Sequence, residues 1–127
     1  LDPESSLTTW MEERKKRDSL DNVSIHKITE NDPELGQLSD EIDLLFVGYT
    51  YFHFGDPVTY FRDKVYPYVQ DKTVVAIADM APVQGQPRHT VSAQQVIIEM
   101  AEAGFQIDAE PTTIYDQYLL IFKKSSQ

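Results

Sequence analysis

Tyr49, Tyr51, His53, Asp79 and His89 bring two phenols, two imidazoles and a carboxylate into one stretch of the chain, residues 49–89. An imidazole titrates near neutral pH, which suits His53 to the work of a general base. The two phenols either line a pocket or pack in the core with their hydroxyls reaching water. Two histidines and an aspartate are metal-ligand types. The spacing of His53, Asp79 and His89 matches no compact metal motif, so no metal is expected. The third histidine, His26, falls inside a predicted strand and reads as structural.

The elements around these residues explain why they would meet. Ile42 to Val47 is an apolar run broken only by Asp43, which predicts a strand buried on both faces. Gly48 then frees the backbone, and Tyr49 to Phe54 crowds aromatic and polar groups just past the strand. Asp56-Pro57 is a helix N-cap with proline at the first helical position. The helix from Pro57 to about Tyr66 buries Val58, Phe61 and Val65 and is stopped by Pro67. Thr73 to Ala78 predicts a second buried strand that ends in Asp79, and His89 lies in the loop that follows. If the two strands are parallel, His53, Asp79 and His89 project from one rim. Open α/β sheets bind their ligands at such carboxyl ends.

The flanking segments complete an alternating pattern. Asp2-Pro3-Glu4 starts a helix with Leu7, Trp10 and Met11 on one face. Its basic run, Arg14 to Arg17, is flanked by acids and reads as paired charge on a wet surface. Val23 to Ile28 predicts a short strand, and Thr29 to Asp40 a polar loop. Ser92 to Gln95 is a capping box with Val91 and Val96 as its staple. That helix buries Val96, Ile97, Met100 and Ala103 and ends at Gly104. Phe105 to Glu110 and Tyr115 to Phe122 predict an antiparallel pair separated by Pro111-Thr112-Thr113. The fold class is therefore α/β, with a mainly parallel sheet and an antiparallel C-terminal pair.

Composition narrows the function classes. A chain of 127 residues is one domain with a single core. It has no cysteine, hence no disulfide or thiol chemistry. No apolar run approaches the roughly 18 residues of a membrane span, so no membrane partner is expected. A formal charge of −10 argues against nucleic acid as a partner and favours a soluble protein. The chain starts at Leu1, already within a helical pattern, which leaves its compartment open.

In their order and spacing these elements resemble class I S-adenosylmethionine-dependent methyltransferases, over essentially the whole chain. The closing pattern carries the likeness: a strand to Asp79, a proline-containing loop with His89, the helix VSAQQVIIEMAEAGF and a strand pair through DQYLLIF. Thr50-Tyr51-Phe52-His53 resembles a TYHH-like loop after the fourth strand, with Phe52 in place of the first histidine. Thr29 to Pro33 resembles the TEDDP-like segment after the third strand, and Leu1 to Glu4 the start of the helix after the second. The resemblance implies a Rossmann-like three-layer sandwich whose strands one and two are missing from this chain. S-adenosylmethionine is the implied cofactor. Thr29 and Glu30 would border its adenine, and Gly48-Tyr49 would back its methionine end. Tyr51, Asp79 and His89 would face a small-molecule acceptor, with His53 as the catalytic base.

The family's glycine-rich turn and ribose-binding acid have no counterpart here, because all five glycines are isolated. Half a cofactor site is implied, with weak or no binding by the chain alone. In the family's strand order, Val23 to Ile28 would stand two strand spacings from Ile42 to Val47, leaving a gap of roughly 10 Å beyond normal pairing. Two functions remain open. One is the C-terminal part of a methyltransferase, and the other is a non-catalytic methyltransferase-like module. Self-association or a complementing chain would answer the gap in either.

Overall fold

The computed structural model describes residues 5–25, 32–37, 41–82 and 90–125. It opens with helix α1 (Ser5–Arg17), whose Arg14 pairs with Asp18 one turn on at 3.1 Å and stacks over Trp10. Leu7 and Trp10 remain exposed. Strand β1 (Leu44–Gly48) follows, then the single α-turn α2 (Pro57–Thr59), which continues as a π-helix over Tyr60–Val65. Asp56 caps this helix as expected: its carboxylate accepts from the Thr59 N–H at 3.1 Å and from the Thr59 hydroxyl at 2.7 Å. Strand β2 (Val74–Met80), helix α3 (Ala93–Ala103) and strands β3 (Phe105–Ile107), β4 (Thr112–Ile114) and β5 (Gln117–Lys124) complete the chain.

The five strands form one sheet in the order β1-β2-β5-β3, with β4 also paired to β5. β1 and β2 are parallel, and β5 is antiparallel to β2, β3 and β4. Four strands therefore run one way and only β5 runs back. This is the expected α/β sheet with an antiparallel C-terminal pair. Helix α3 behaves as its sequence requires. Ser92 Oγ accepts from the Gln95 N–H at 3.1 Å, and Gly104 ends the helix in the left-handed region at φ 104°. A Cβ at Gly104 would also lie 2.9 Å from the Tyr66 ring, so glycine is required there twice over.

The core lies on one face of the sheet. Val75 and Ile77 of β2, with Tyr118, Leu120 and Phe122 of β5, pack against Phe61, Val65, Val96, Met100 and Ala103. The aromatic rings of Phe54, Tyr60, Phe61 and Phe105 interlock within it, with Phe54 and Tyr60 stacked at 4.2 Å. Tyr60 is pushed up to about 12, first by its burial and then by the Asp32 carboxylate.

The opposite face is open over β1, while Ala76 and Ala78 of β2 are buried. Register places Leu44 and Phe46 of β1 beside Val74, Ala76 and Ala78 of β2, and these beside Leu119 and Ile121 of β5. Leu44 is 58% exposed and Phe46 59%. This corrects the expectation of a central strand buried on both faces. Among the described residues β1 is paired along one edge only and covered on one side only, so just its Leu45 and Val47 reach the core. Of the three expected layers, the described residues build two closely packed ones.

Two further expectations are revised. Val23 to Ile25 form no strand, and the rest of that predicted strand, residues 26–28, lies outside the described residues. Pro111-Thr112-Thr113 is not the final turn. Pro111 has no N–H to give the ladder, so Asp108 to Pro111 bulge out between β3 and β4, with the Asp108 N–H on the Ile121 carbonyl. The chain reverses at Tyr115-Asp116 instead, where Tyr115 takes φ 58°.

Candidate functional site

The carboxyl ends of β1 and β2 lie side by side, Gly48 opposite Ala78. Tyr49 comes next and adopts the left-handed conformation at φ 57°. The conformational freedom expected of Gly48 is thus used by its neighbour. What Gly48 provides is room, since a Cβ there would meet the Phe46 ring at 2.7 Å. The Tyr49 N–H donates to the Ala78 carbonyl at 2.7 Å, and its hydroxyl donates to Gln117 Oε1 at 2.9 Å. Its side chain therefore spans from β1 past the end of β2 to the start of β5.

Past this corner the chain turns under the other face of the sheet. Tyr51 opens a 3₁₀ turn, Tyr51–His53, and is 2% exposed in the core. The placement expected for it was on the rim; the structure sets it beneath. Its ring packs on Phe54 and Phe61, and its hydroxyl donates to Glu99 Oε1 at 3.0 Å. Burial first, and then the Glu99 carboxylate, raise the phenol far above its usual range. His53 ends the same turn, exposed, with its N–H on the Thr50 carbonyl at 3.0 Å.

Asp79 is the penultimate residue of β2, on the core side, and is buried. Its Oδ1 accepts from the Met80 N–H at 2.8 Å, while Oδ2 is enclosed with no partner among the described residues. An unsatisfied buried acceptor costs about 1–3 kcal/mol. Tyr118 lies directly opposite on β5 and donates to the Val91 carbonyl at 2.7 Å. Its phenol is raised by burial and then by Asp79. Two residues not singled out from the sequence thus belong to the rim's framework. Gln117 and Glu99 sit on separate elements, and only the register of β5 and the phase of α3 reveal them.

Tyr49 and Asp79 are brought to adjacent strand ends, with Tyr51 and His53 on the turn beyond. Thr29, Glu30 and His89 lie outside the described residues. Among the described residues no cluster of three His, Asp or Glu side chains forms a metal site. Among the described residues no helix is long and apolar enough to cross a membrane. A groove of about 730 Å³ lies at the other end of the sheet, lined by Tyr66, Asp71, Gln106, Asp108, Lys123 and Lys124. It is open and charged, and it faces the amino ends of the parallel strands, where sheets of this type do not hold ligands. The rim is the better candidate by its place at the carboxyl ends of β1 and β2.

No protein-family model matches the sequence, and no curated protein matches it. Comparison by structure is more informative. A SAM-dependent methyltransferase from Aquifex aeolicus superposes with a TM-score of 0.82 at 15% identity, covering 97% of this chain and 66% of that one. The mitomycin 7-O-methyltransferase MmcR gives 0.70 at 10% identity, over 98% of this chain and 41% of its own. The O-methyltransferase NcsB1 from neocarzinostatin biosynthesis, in complex with S-adenosyl-L-homocysteine and 1,4-dihydroxy-2-naphthoic acid, gives 0.71 at 14% over 93% and 39%. A pericyclic reaction enzyme shares the fold as well, at 0.63. The chain spans less than two thirds of each of these proteins. It has the Rossmann-like fold of the class I S-adenosylmethionine-dependent methyltransferases, and covers its C-terminal portion.

Proposed function

We propose that the chain is the C-terminal part of an S-adenosylmethionine-dependent methyltransferase and carries the acceptor side of its site. The observation behind this is the open face of the sheet. A row of Leu44, Phe46 and Leu119 around an alanine floor, beside a strand edge that no described residue pairs, suits a surface that other polypeptide covers. The methyltransferases of the same fold have that additional length.

In this reading Gly48-Tyr49 backs the methionine end of the cofactor, and Thr29 and Glu30 border its adenine. The fit is partial. The described residues offer Tyr49 and the strand ends, and they have no glycine-rich turn against which the cofactor could lie closely. When bound, S-adenosylmethionine would supply an electrophilic methyl group. The chain's own share is to orient a small-molecule acceptor, which rests on alignment more than on acid-base power. Asp79 and His89 belong to the acceptor side in this reading, Asp79 as a buried carboxylate beneath the rim. Tyr51 acts from beneath by holding the turn that carries His53, and His53 takes the acceptor's proton.

His53→Ala tests this assignment in the complete protein. Transfer should fall by about 10²–10⁴-fold, the usual worth of a general base. The melting temperature should barely move, because His53 is exposed. Equal loss of stability and activity would make His53 a structural residue. The second reading, a non-catalytic module, is favoured by the partial cofactor fit, since fold alone does not fix function. It predicts no transfer from any variant, the parent included.

A further inference from the structure

The corner at Tyr49 is an outlier with no account in stability. A tyrosine at φ 57° is uncommon and strained. It is half exposed, so its ring gains little by burial, and an exposed hydrogen bond adds little net stability. Strain of this sort persists where surrounding contacts over-determine it, and it gathers at functional sites. Here the determining contacts are specific. The Tyr49 N–H is fixed on Ala78 of β2, and its hydroxyl is fixed on Gln117, 68 residues further along. Gln117 in turn is the first residue of β5, paired with both Met80 and Ile114, and the Ala81 N–H holds the preceding Asp116 carbonyl at 2.6 Å. Its backbone is thus anchored between two strands before its side chain receives Tyr49.

The consequence is a change of side. Without the left-handed residue, alternation would carry the chain straight on from β1. With it, Tyr49 lies along the open face while Tyr51, two residues on, is buried on the other. The 3₁₀ turn ending at His53 starts from that corner. We propose that Gln117 is a positioning residue of the rim, which locks Tyr49 in its left-handed state and thereby sets where the Thr50–His53 turn stands. This rests on the rim being the acceptor site. Gln117 touches no reacting atom and acts only through Tyr49.

The test compares Gln117→Ala, Gln117→Glu and Tyr49→Phe in the full-length protein. Glutamate keeps an acceptor oxygen at the same reach, and alanine and phenylalanine each remove one partner. Hydrogen exchange of the peptide spanning Gly48 to His53 should quicken about 2- to 10-fold in Gln117→Ala and Tyr49→Phe, the range for one lost hydrogen bond. It should return to the parent rate in Gln117→Glu. Acceptor kcat/KM should fall and recover in the same pattern, with the melting temperature unchanged in all three. Exchange unaltered in Gln117→Ala, or glutamate failing to restore it, overturns the proposal, as does a parallel drop in melting temperature. Exchange does not depend on turnover. A responsive exchange rate in a protein that transfers to no acceptor would sustain the tether and reject the methyltransferase reading. Normal transfer with insensitive exchange would do the reverse.

Discussion

Phe46→Glu is expected to act in opposite directions on the isolated chain and on the complete protein. Phe46 is 59% exposed on the open face, its ring lying across Gly48. In the isolated chain a carboxylate there would hydrate freely and break the apolar row formed with Leu44 and Leu119. Self-association, read by light scattering, should decrease. In the complete protein the same position would be covered, and an unpaired buried charge costs about 3–5 kcal/mol. Denaturant unfolding should therefore show a large loss of stability. If the substitution is neutral in both, the face is ordinary surface and the account of a covered sheet is wrong.

The second large effect belongs to the core. Met100 is fully buried on the inner face of α3, against the sheet and beside Phe105. Met100→Ala should cost about 2–5 kcal/mol, the lost transfer energy plus an incompletely collapsed cavity. The denaturation midpoint should fall at unchanged slope. Ile98 lies on the same helix but is largely exposed, so Ile98→Ala should stay within about 0.5 kcal/mol. Similar losses at both positions would mean that α3 packs in a different phase.

Helix α3 was legible from end to end because each signal in it is local. Ser92 and Gln95 are three residues apart, and Gly104 follows the last turn directly. The Asp56 cap was legible for the same reason. The exposure of β1 was not, because its residues look alike whether one neighbouring strand is present or two. Only pairing decides whether Leu44 and Phe46 are covered, and pairing is non-local. The final turn was misplaced because Pro111 is a strong local punctuator. Tyr115-Asp116, by contrast, carries none of the Asn-Gly chemistry that marks a two-residue hairpin. At the site, Tyr49 and Tyr51 were indistinguishable by residue type. What separates them is the left-handed backbone at Tyr49, a conformation that tyrosine does not advertise. The unpartnered oxygen of Asp79 could not be anticipated either, since it depends on what the folded chain fails to place nearby.

In the proposed reading these 127 residues hold one side of a methyltransferase site and lack the glycine-rich turn that completes the cofactor's side. Isothermal titration of the 127-residue polypeptide with S-adenosylmethionine tests this most directly. No measurable heat of binding is expected, or at best affinity on the order of 1 mM, about 4 kcal/mol. Sub-micromolar binding, about 8 kcal/mol or more, would contradict it by showing that the rim at Gly48 and Tyr49 is a cofactor site complete in itself.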